Sequence, residues 1–424
     1  MIESINIIIS FLYFLFFSSF FIEKKKNNFF NNLVISLIYL VSFFLIISFF
    51  NLNHLIILAL IIVLRIFFLI FINKKNDILF KVQDNFLFTF TIFCVFFILS
   101  IDVASNTKLG WDAQNYFFEK VINFNEQKTF NEFKDNGAAH YPHLSEYLWS
   151  FFWKIHSFNY GQEYLGRIFF IYIYLLSIVY LVNNSILKES FKIFAFLFLI
   201  IFSYKPIYFN GNLEILAFSL FIILSVDLSV ILRKKNYLDH LPRILLTILC
   251  LVWTKNESVV LVFINLIIFY FFYPYKKRFT LVYLLIPFIF FVALRLFFNN
   301  YYAFNVPDYQ LHKTLDFSFE YLLKGIVLIS EEFIKGLFKN LILVISYIFI
   351  IFNIALKNKD IFHRFQAVQG LFFVIFLYSA FLFNLPDVEF QTKASIDRVL
   401  FILSGSLLIS FNSYLARVFK FVIK

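Results

Sequence analysis

The sequence predicts an all-α polytopic membrane protein, a single integral-membrane domain over residues 1–424 with about 11 to 13 spanning helices and one large loop that carries amphipathic interfacial helices. Three observations predict it. Of the 424 residues, 61% are hydrophobic and only 15% are charged, a balance that a soluble globule cannot hide from water. The apolar residues fall in runs long enough to cross about 30 Å of hydrocarbon at 1.5 Å per helical residue. Between the runs, Lys and Arg gather in short clusters on alternate connections, which is how a membrane helix bundle records its orientation. The net charge of +11 is therefore a topology signal, and no nucleic-acid partner is expected.

The first run, residues 4–22, is too long for a signal-peptide core and is followed by no small-residue cleavage site, so it reads as a retained span. Further runs lie at 33–50, 55–72, 86–101, 164–182, 193–209, 214–232, 244–254, 259–274, 279–298, 338–356, 365–384 and 399–416. The run 244–254 is short; about eleven residues reach only about 16 Å. The connections "EKKKNN", "NKKNDILFK", "LKESFK", "RKKNYLDHLPR", "YKKR", "KNKDIFHR" and the tail "ARVFKFVIK" together hold 21 Lys plus Arg and mark the cytoplasmic side. The loop 102–163 holds five Lys against eight Asp plus Glu, which places it, and the N-terminus, on the outer side. A second outer-face loop, 299–337, is aromatic and polar without a readable motif. Cys94 and Cys250 both lie inside apolar runs and offer neither a disulfide framework nor metal spacing.

The 102–163 loop lacks the Gly, Ser and Pro of a tether and contains two helix patterns. In "YPHLSEYLWSFFWKI", Leu144, Tyr147, Leu148, Phe151, Phe152 and Ile155 recur at helical spacing behind Pro142. This predicts an amphipathic helix lying in the interface, with Trp149 and Trp153 at headgroup depth. Trp111 to Phe124 forms the other pattern, with Phe117, Phe118, Val121, Ile122 and Phe124 on one side and Asp112, Tyr116 and Glu119 on another. Asp112 then occupies a first helical turn, where the macrodipole favours its ionised form.

Ionisable residues near membrane depth are functional candidates, and here they gather on the side of the large loop. Besides Asp102 and Asp112, that side carries Glu214 in "NGNLEIL", Lys255 and Glu257 in "WTKNES", and Asp397 and Arg398 in "QTKASIDRVL". Trp111, Tyr116, Lys120 and Tyr141 are expected to line the same site. Each has a plainer role open to it: Asp102 can end a helix, Glu214 can cap one, and Asp397 with Arg398 can be an interfacial charge pair. His140, His143 and Glu146 in "HYPHLSE" are spaced three apart with Pro142 between the histidines, a poor zinc frame. No cofactor is expected, and nothing supports a divalent metal.

"GWDAQNYFFEKV", "YPHLSEYLW", "NGNLEILAF", "WTKNES" and "ASIDRVLF", in this order and on one side, resemble the recurring segments of the GT-C superfamily of integral-membrane glycosyltransferases. The likeness is to bacterial members that use polyprenyl-phosphate-linked sugars, such as protein mannosyltransferases and aminoarabinose transferases. It covers Gly110 to Phe401 at intervals. The resemblance implies that Asp112 is the catalytic base, that the donor is a polyprenyl-phosphate-linked sugar and the acceptor a lipid or glycan, and that the active site faces outward from a bacterial cytoplasmic (inner) membrane. Related enzymes often have Asp-Glu here; this chain has Ala113 after Asp112 and keeps Tyr116.

Independently, moving a sugar from a lipid phosphate to a hydroxyl needs a base for the acceptor's proton and cations for the leaving phosphate. Asp112 suits the first role, Arg398 and Lys255 the second, with Asp102, Glu214 and Glu257 as supporting acids. A single displacement by the acceptor predicts inversion at the anomeric carbon. Two other functions stand beside this one: a transporter or flippase for a lipid-linked sugar, which would place charges near the midplane, and a membrane polysaccharide polymerase or ligase, which leans on Arg and His in a late loop. The 299–337 loop holds His312 but no Arg.

Overall fold

A computed structural model describes residues 2–19, 29–50, 52–67, 86–106, 108–132, 134, 139–156, 160–185, 187, 189–211, 213–234, 240–273, 282–304, 319–355, 361–383 and 388–422. Among these, the chain forms sixteen α-helices and no strand. In lipid every backbone polar group must find its partner within the segment, and helices achieve this. The first four are α1 (Ile2–Ser18), α2 (Phe29–Ser48), α3 (His54–Phe67) and α4 (Phe86–Ser105). The large loop contains a π turn (Ala113–Phe117), α5 (Phe118–Asn125) and α6 (Leu144–His156). Then follow α7 (Tyr164–Asn183), α8 (Glu189–Ser203), α9 (Glu214–Lys234), α10 (Leu241–Val252), α11 (Asn256–Phe272) and α12 (Val282–Tyr301). The last four are α13 (Phe319–Lys339), α14 (Leu341–Ala355), α15 (Ile361–Phe383) and α16 (Val388–Val422).

Seven helices, α2, α4, α7, α9, α12, α15 and α16, are long and apolar enough to cross a membrane, and α13 with α14 forms a pair bent by 102°. Five shorter apolar helices, α1, α3, α8, α10 and α11, complete the bundle. Each predicted apolar run falls on one of these or on α14. The basic runs 23–28, 73–81 and 275–278, and His312, lie outside the described residues.

α7 and α9 are predominantly apolar, and the spanning stretch of each is buried on every side, as expected of a helix at the centre of a bundle. α3, α4 and α12 turn Ile, Leu and Phe outward from the rim, the surface a lipid-solvated helix presents. α9 and α16 approach closely: a Cβ on Gly405 would lie 2.6 Å from the Phe218 carbonyl oxygen. Beside that contact Phe401 stacks on Phe218 at 4.5 Å and on Tyr208 at 3.8 Å.

Three elements differ from the sequence expectation. α6 does not present its tryptophans to the surface: Trp149 is 0% and Trp153 2% exposed, and Trp149 donates through Nε1 to the Glu163 carbonyl at 3.1 Å. The helix is apolar around most of its circumference, so the bundle covers it on both sides. The described residues of the 299–337 loop are mostly helical: α12 runs to Tyr301 and α13 begins at Phe319. α16 starts at Val388, well before the apolar run at 399, so Asp397 and Arg398 lie within a helix and not at its end.

The half of the bundle away from the large loop has a charge cluster of its own. Asp227, wholly buried on α9, accepts from Arg243 through both oxygens, from the Tyr180 hydroxyl at 2.7 Å, and lies 3.3 Å from His240. Asp227 is not among the sequence candidates, because it stands alone in "ILSVDLSVI".

Candidate functional site

The loop is fastened to the bundle just ahead of Asp112. Gly110 donates its backbone N–H to the Asn210 carbonyl at 2.7 Å. Next to Asn210, Gly211 adopts φ +82°, a conformation that costs glycine little and other residues more. A Cβ there would come within 2.7 Å of Ala113 and 2.9 Å of Trp149. Ala113, directly after Asp112, is fully buried against this glycine. The site is thus built around one acid at this position.

Asp112 leads into the π turn, and its side chain makes no capping bond. Instead its Oδ2 accepts from Nη1 of Arg398 on α16, 286 residues away. The two side chains are 22% and 24% exposed. Arg398 also donates to the Ser395 hydroxyl at 3.2 Å and stands 3.8 Å from Oε1 of Glu214. Glu214, the first residue of α9 and 1% exposed, accepts from Lys255 Nζ at 2.5 Å. Lys255 enters from the three-residue break between α10 and α11, with its ammonium 5.6 Å from the centre of the Phe117 ring. The short run 244–254 is what brings it in: α10 ends early and leaves "WTK" inside the bundle. Burial lowers the pKa of Lys255, but the carboxylates of Glu214 and Glu257 more than reverse this and hold it above its ordinary value. Asp112, Arg398, Glu214 and Lys255 therefore form one alternating chain of charges drawn from four segments.

A second buried pair lies beside it. Lys120 Nζ stands 3.3 Å from Glu146 Oε1, both side chains wholly enclosed, and donates to the Tyr141 carbonyl at 2.9 Å. Burial pushes the ammonium of Lys120 below its usual range and the carboxyl of Glu146 above its own. Arg295 of α12 donates to the Val252 carbonyl at 2.9 Å and to Asn256, and Glu257 sits in the combined field of Arg295 and Lys255. Among the described residues, one oxygen each of Glu146, Glu214 and Glu257 is buried without a hydrogen-bond partner. Such atoms retain unused capacity to accept a hydrogen bond.

The remaining predicted residues stand apart. Asp102 accepts from the Tyr204 hydroxyl at 2.5 Å, a bond between α4 and the α8–α9 connection that gives it a positional role. Asp397 does not pair with Arg398; it pairs with Lys339 at 2.7 Å, and its backbone carbonyl accepts from the Tyr208 hydroxyl at 3.1 Å. Trp111, 67% exposed, packs edge-on against Tyr116 at 5.6 Å, so the two mark the rim. In "HYPHLSE", His143 bonds the Ser48 hydroxyl at 2.8 Å and Glu146 goes to Lys120.

The sequence singles out neither Arg295 nor the pairing of Glu146 with Lys120. A lone arginine in "VALRLFF" was the available signal for the first. No family model, no curated protein and no solved structure matches the chain.

Proposed function

We propose that this integral membrane protein is an inverting glycosyltransferase that moves a sugar from a polyprenyl-phosphate-linked donor to a lipid or glycan acceptor. The observation that carries the reading is the convergence of Asp112, Arg398, Glu214 and Lys255 at the loop end of the bundle. A basic group and two phosphate-binding cations within one chain of contacts match what the reaction needs. In the step itself the acceptor oxygen bonds to the anomeric carbon as the bond from that carbon to the phosphate oxygen breaks. The electron pair leaves on the phosphate, held by Arg398 and Lys255, and the acceptor's proton goes to Asp112. Arg398 offers the phosphate a fork of donors, Lys255 a point charge.

The distribution of Lys and Arg supports placing the loop end on the non-cytoplasmic face, which in a bacterial cytoplasmic membrane is where lipid-linked sugars present their head groups. A flippase would need polar groups open along a path between the two ends. The deep polar groups described here are engaged with one another: Asp227 with Arg243 and Tyr180, and Asn265 with Gln369. Supporting acids at Glu214 and Glu257 fit hydroxyl recognition, and no step of the reaction calls for a metal. The test is the lipid and glycan profile of cells lacking the protein. Accumulation of one polyprenyl phosphosugar, with loss of one sugar from an envelope glycan, is expected; unchanged pools of both would refute the reading.

A further inference from the structure

The two cations assigned to the donor's phosphate are already matched by carboxylates. Arg398 holds Asp112 and stands 3.8 Å from Glu214, and Lys255 holds Glu214 at 2.5 Å. Two positive groups thus face two negative ones. A phosphate arriving at them adds negative charge that nothing in this chain of contacts balances, so one carboxylate has to give way.

The two carboxylates differ in how readily they can leave. Glu214 is 1% exposed and lies between both cations; expelling it would strand a buried anion. Asp112 is 22% exposed and touches Arg398 through a single oxygen. Water can take over its solvation on release. It also leads directly into the π turn Ala113–Phe117, a backbone form found often where a helix adjusts at a functional site.

On the strength of the function proposed above, we infer that the Asp112 carboxylate stands on Arg398 in the place of the donor's phosphate, and that the phosphate binds by displacing it. Carboxylate and phosphate both suit the guanidinium fork, so Arg398 exchanges one anion for another without changing its own position. Asp112, freed from the positive charge that stabilises its ionised form, becomes a stronger base at the moment the donor is seated. Donor binding and base activation are then a single event. The acceptor is deprotonated only when there is a sugar to receive it, and the donor binds first.

The test uses polyprenyl phosphate, which has the phosphate and the tail without the sugar, and the purified full-length protein in lipid nanodiscs. Asp112→Asn removes the competing anion and is expected to bind this lipid about tenfold more tightly than wild type, while Arg398→Ala binds it at least about tenfold more weakly. Equal or weaker binding by Asp112→Asn, with Arg398→Ala still weakened, overturns the exchange and leaves the function standing. Absence of binding in wild type and both variants, or binding unchanged by Arg398→Ala, overturns the phosphate site and the exchange with it. A measurement on wild type covers the case of a poorly folded variant. Carboxylate labelling by a water-soluble carbodiimide and an amine, read by mass spectrometry, is expected to rise at Asp112 and hold steady at Glu214 as polyprenyl phosphate saturates the protein. No rise at Asp112 overturns the exchange.

Discussion

Arg398 touches Asp112 on the large loop and lies 3.8 Å from Glu214 on α9, so its removal affects two anions together. Arg398→Lys keeps the charge and loses the fork, and should retain part of the transfer activity; Arg398→Ala should retain less. Asp112→Asn preserves shape and removes basicity. It is expected to lower sugar transfer in purified membranes by about 10² to 10⁴, while Asp102→Asn, whose partner is Tyr204, costs far less. Activity of Asp112→Asn near the wild-type level would remove the base. The enclosed pair Lys120 and Glu146 makes a different forecast. Breaking it from one side, as in Glu146→Ala, should cost about 3–5 kcal/mol of stability, and replacing both by apolar residues of similar size should restore most of that. Thermal unfolding of the two variants in detergent checks it. Glu214, Lys255 and Arg398 were legible one by one, because each is a charge at the edge of an apolar run, and Asp112 because it falls in the first turn of a helix pattern in the large loop. Their pairing was not, since contacts between segments 286 residues apart leave no mark on local spacing. Arg295 was missed because a single arginine near a span end reads equally well as one that reaches for the headgroups.

At the scale of elements, the π turn depends on a residue outside it. Gly211 sits at φ +82° against Ala113 and Trp149, so Gly211→Ala should strain the backbone by about 1–3 kcal/mol and shift the turn that presents Asp112. A lowered melting temperature with reduced transfer is the expected pair of results; wild-type values for both would show that the contact yields freely. The helices of the bundle were readable because apolar length in a membrane is a strong constraint. α6 shows where that reading ended: the spacing of Leu144, Tyr147, Leu148 and Phe151 found the helix, but spacing alone cannot tell a lipid surface from a protein surface, and both tryptophans face protein. α13 escaped for the opposite reason. Its charges recur every three or four residues, joined in the pairs Lys324–Glu320 and Lys335–Glu331, both at 2.7 Å, and they mask the apolar residues Leu323, Val327, Ile334 and Phe338 between them. The 102° bend against α14 explains the mixture: a helix turned across the end of the bundle has one side for protein, one for lipid and one for water.

For the whole molecule, the proposed orientation makes a direct forecast. A cysteine at Glu132, exposed on the large loop, should react with an impermeant thiol reagent in intact spheroplasts, and one at Ser185, beyond the far end of α7, only after lysis. The reverse pattern would turn the protein over. The close approach of α9 and α16 at Gly405 has a mechanical consequence. Arg398 lies seven residues from Gly405 along α16, about 10 Å, and Glu214 four residues from Phe218 along α9, about 6 Å. The contact is a fulcrum, and the two charges ride on arms of unequal length above it. Widening the gap by the bulk of a valine at 405, where even a methyl group would press on the Phe218 carbonyl at 2.6 Å, would swing the guanidinium away from both its carboxylates. Gly405→Val is therefore expected to disturb the alignment of Arg398 from an uncharged position, and wild-type transfer by that variant would show that the contact does not reach the site.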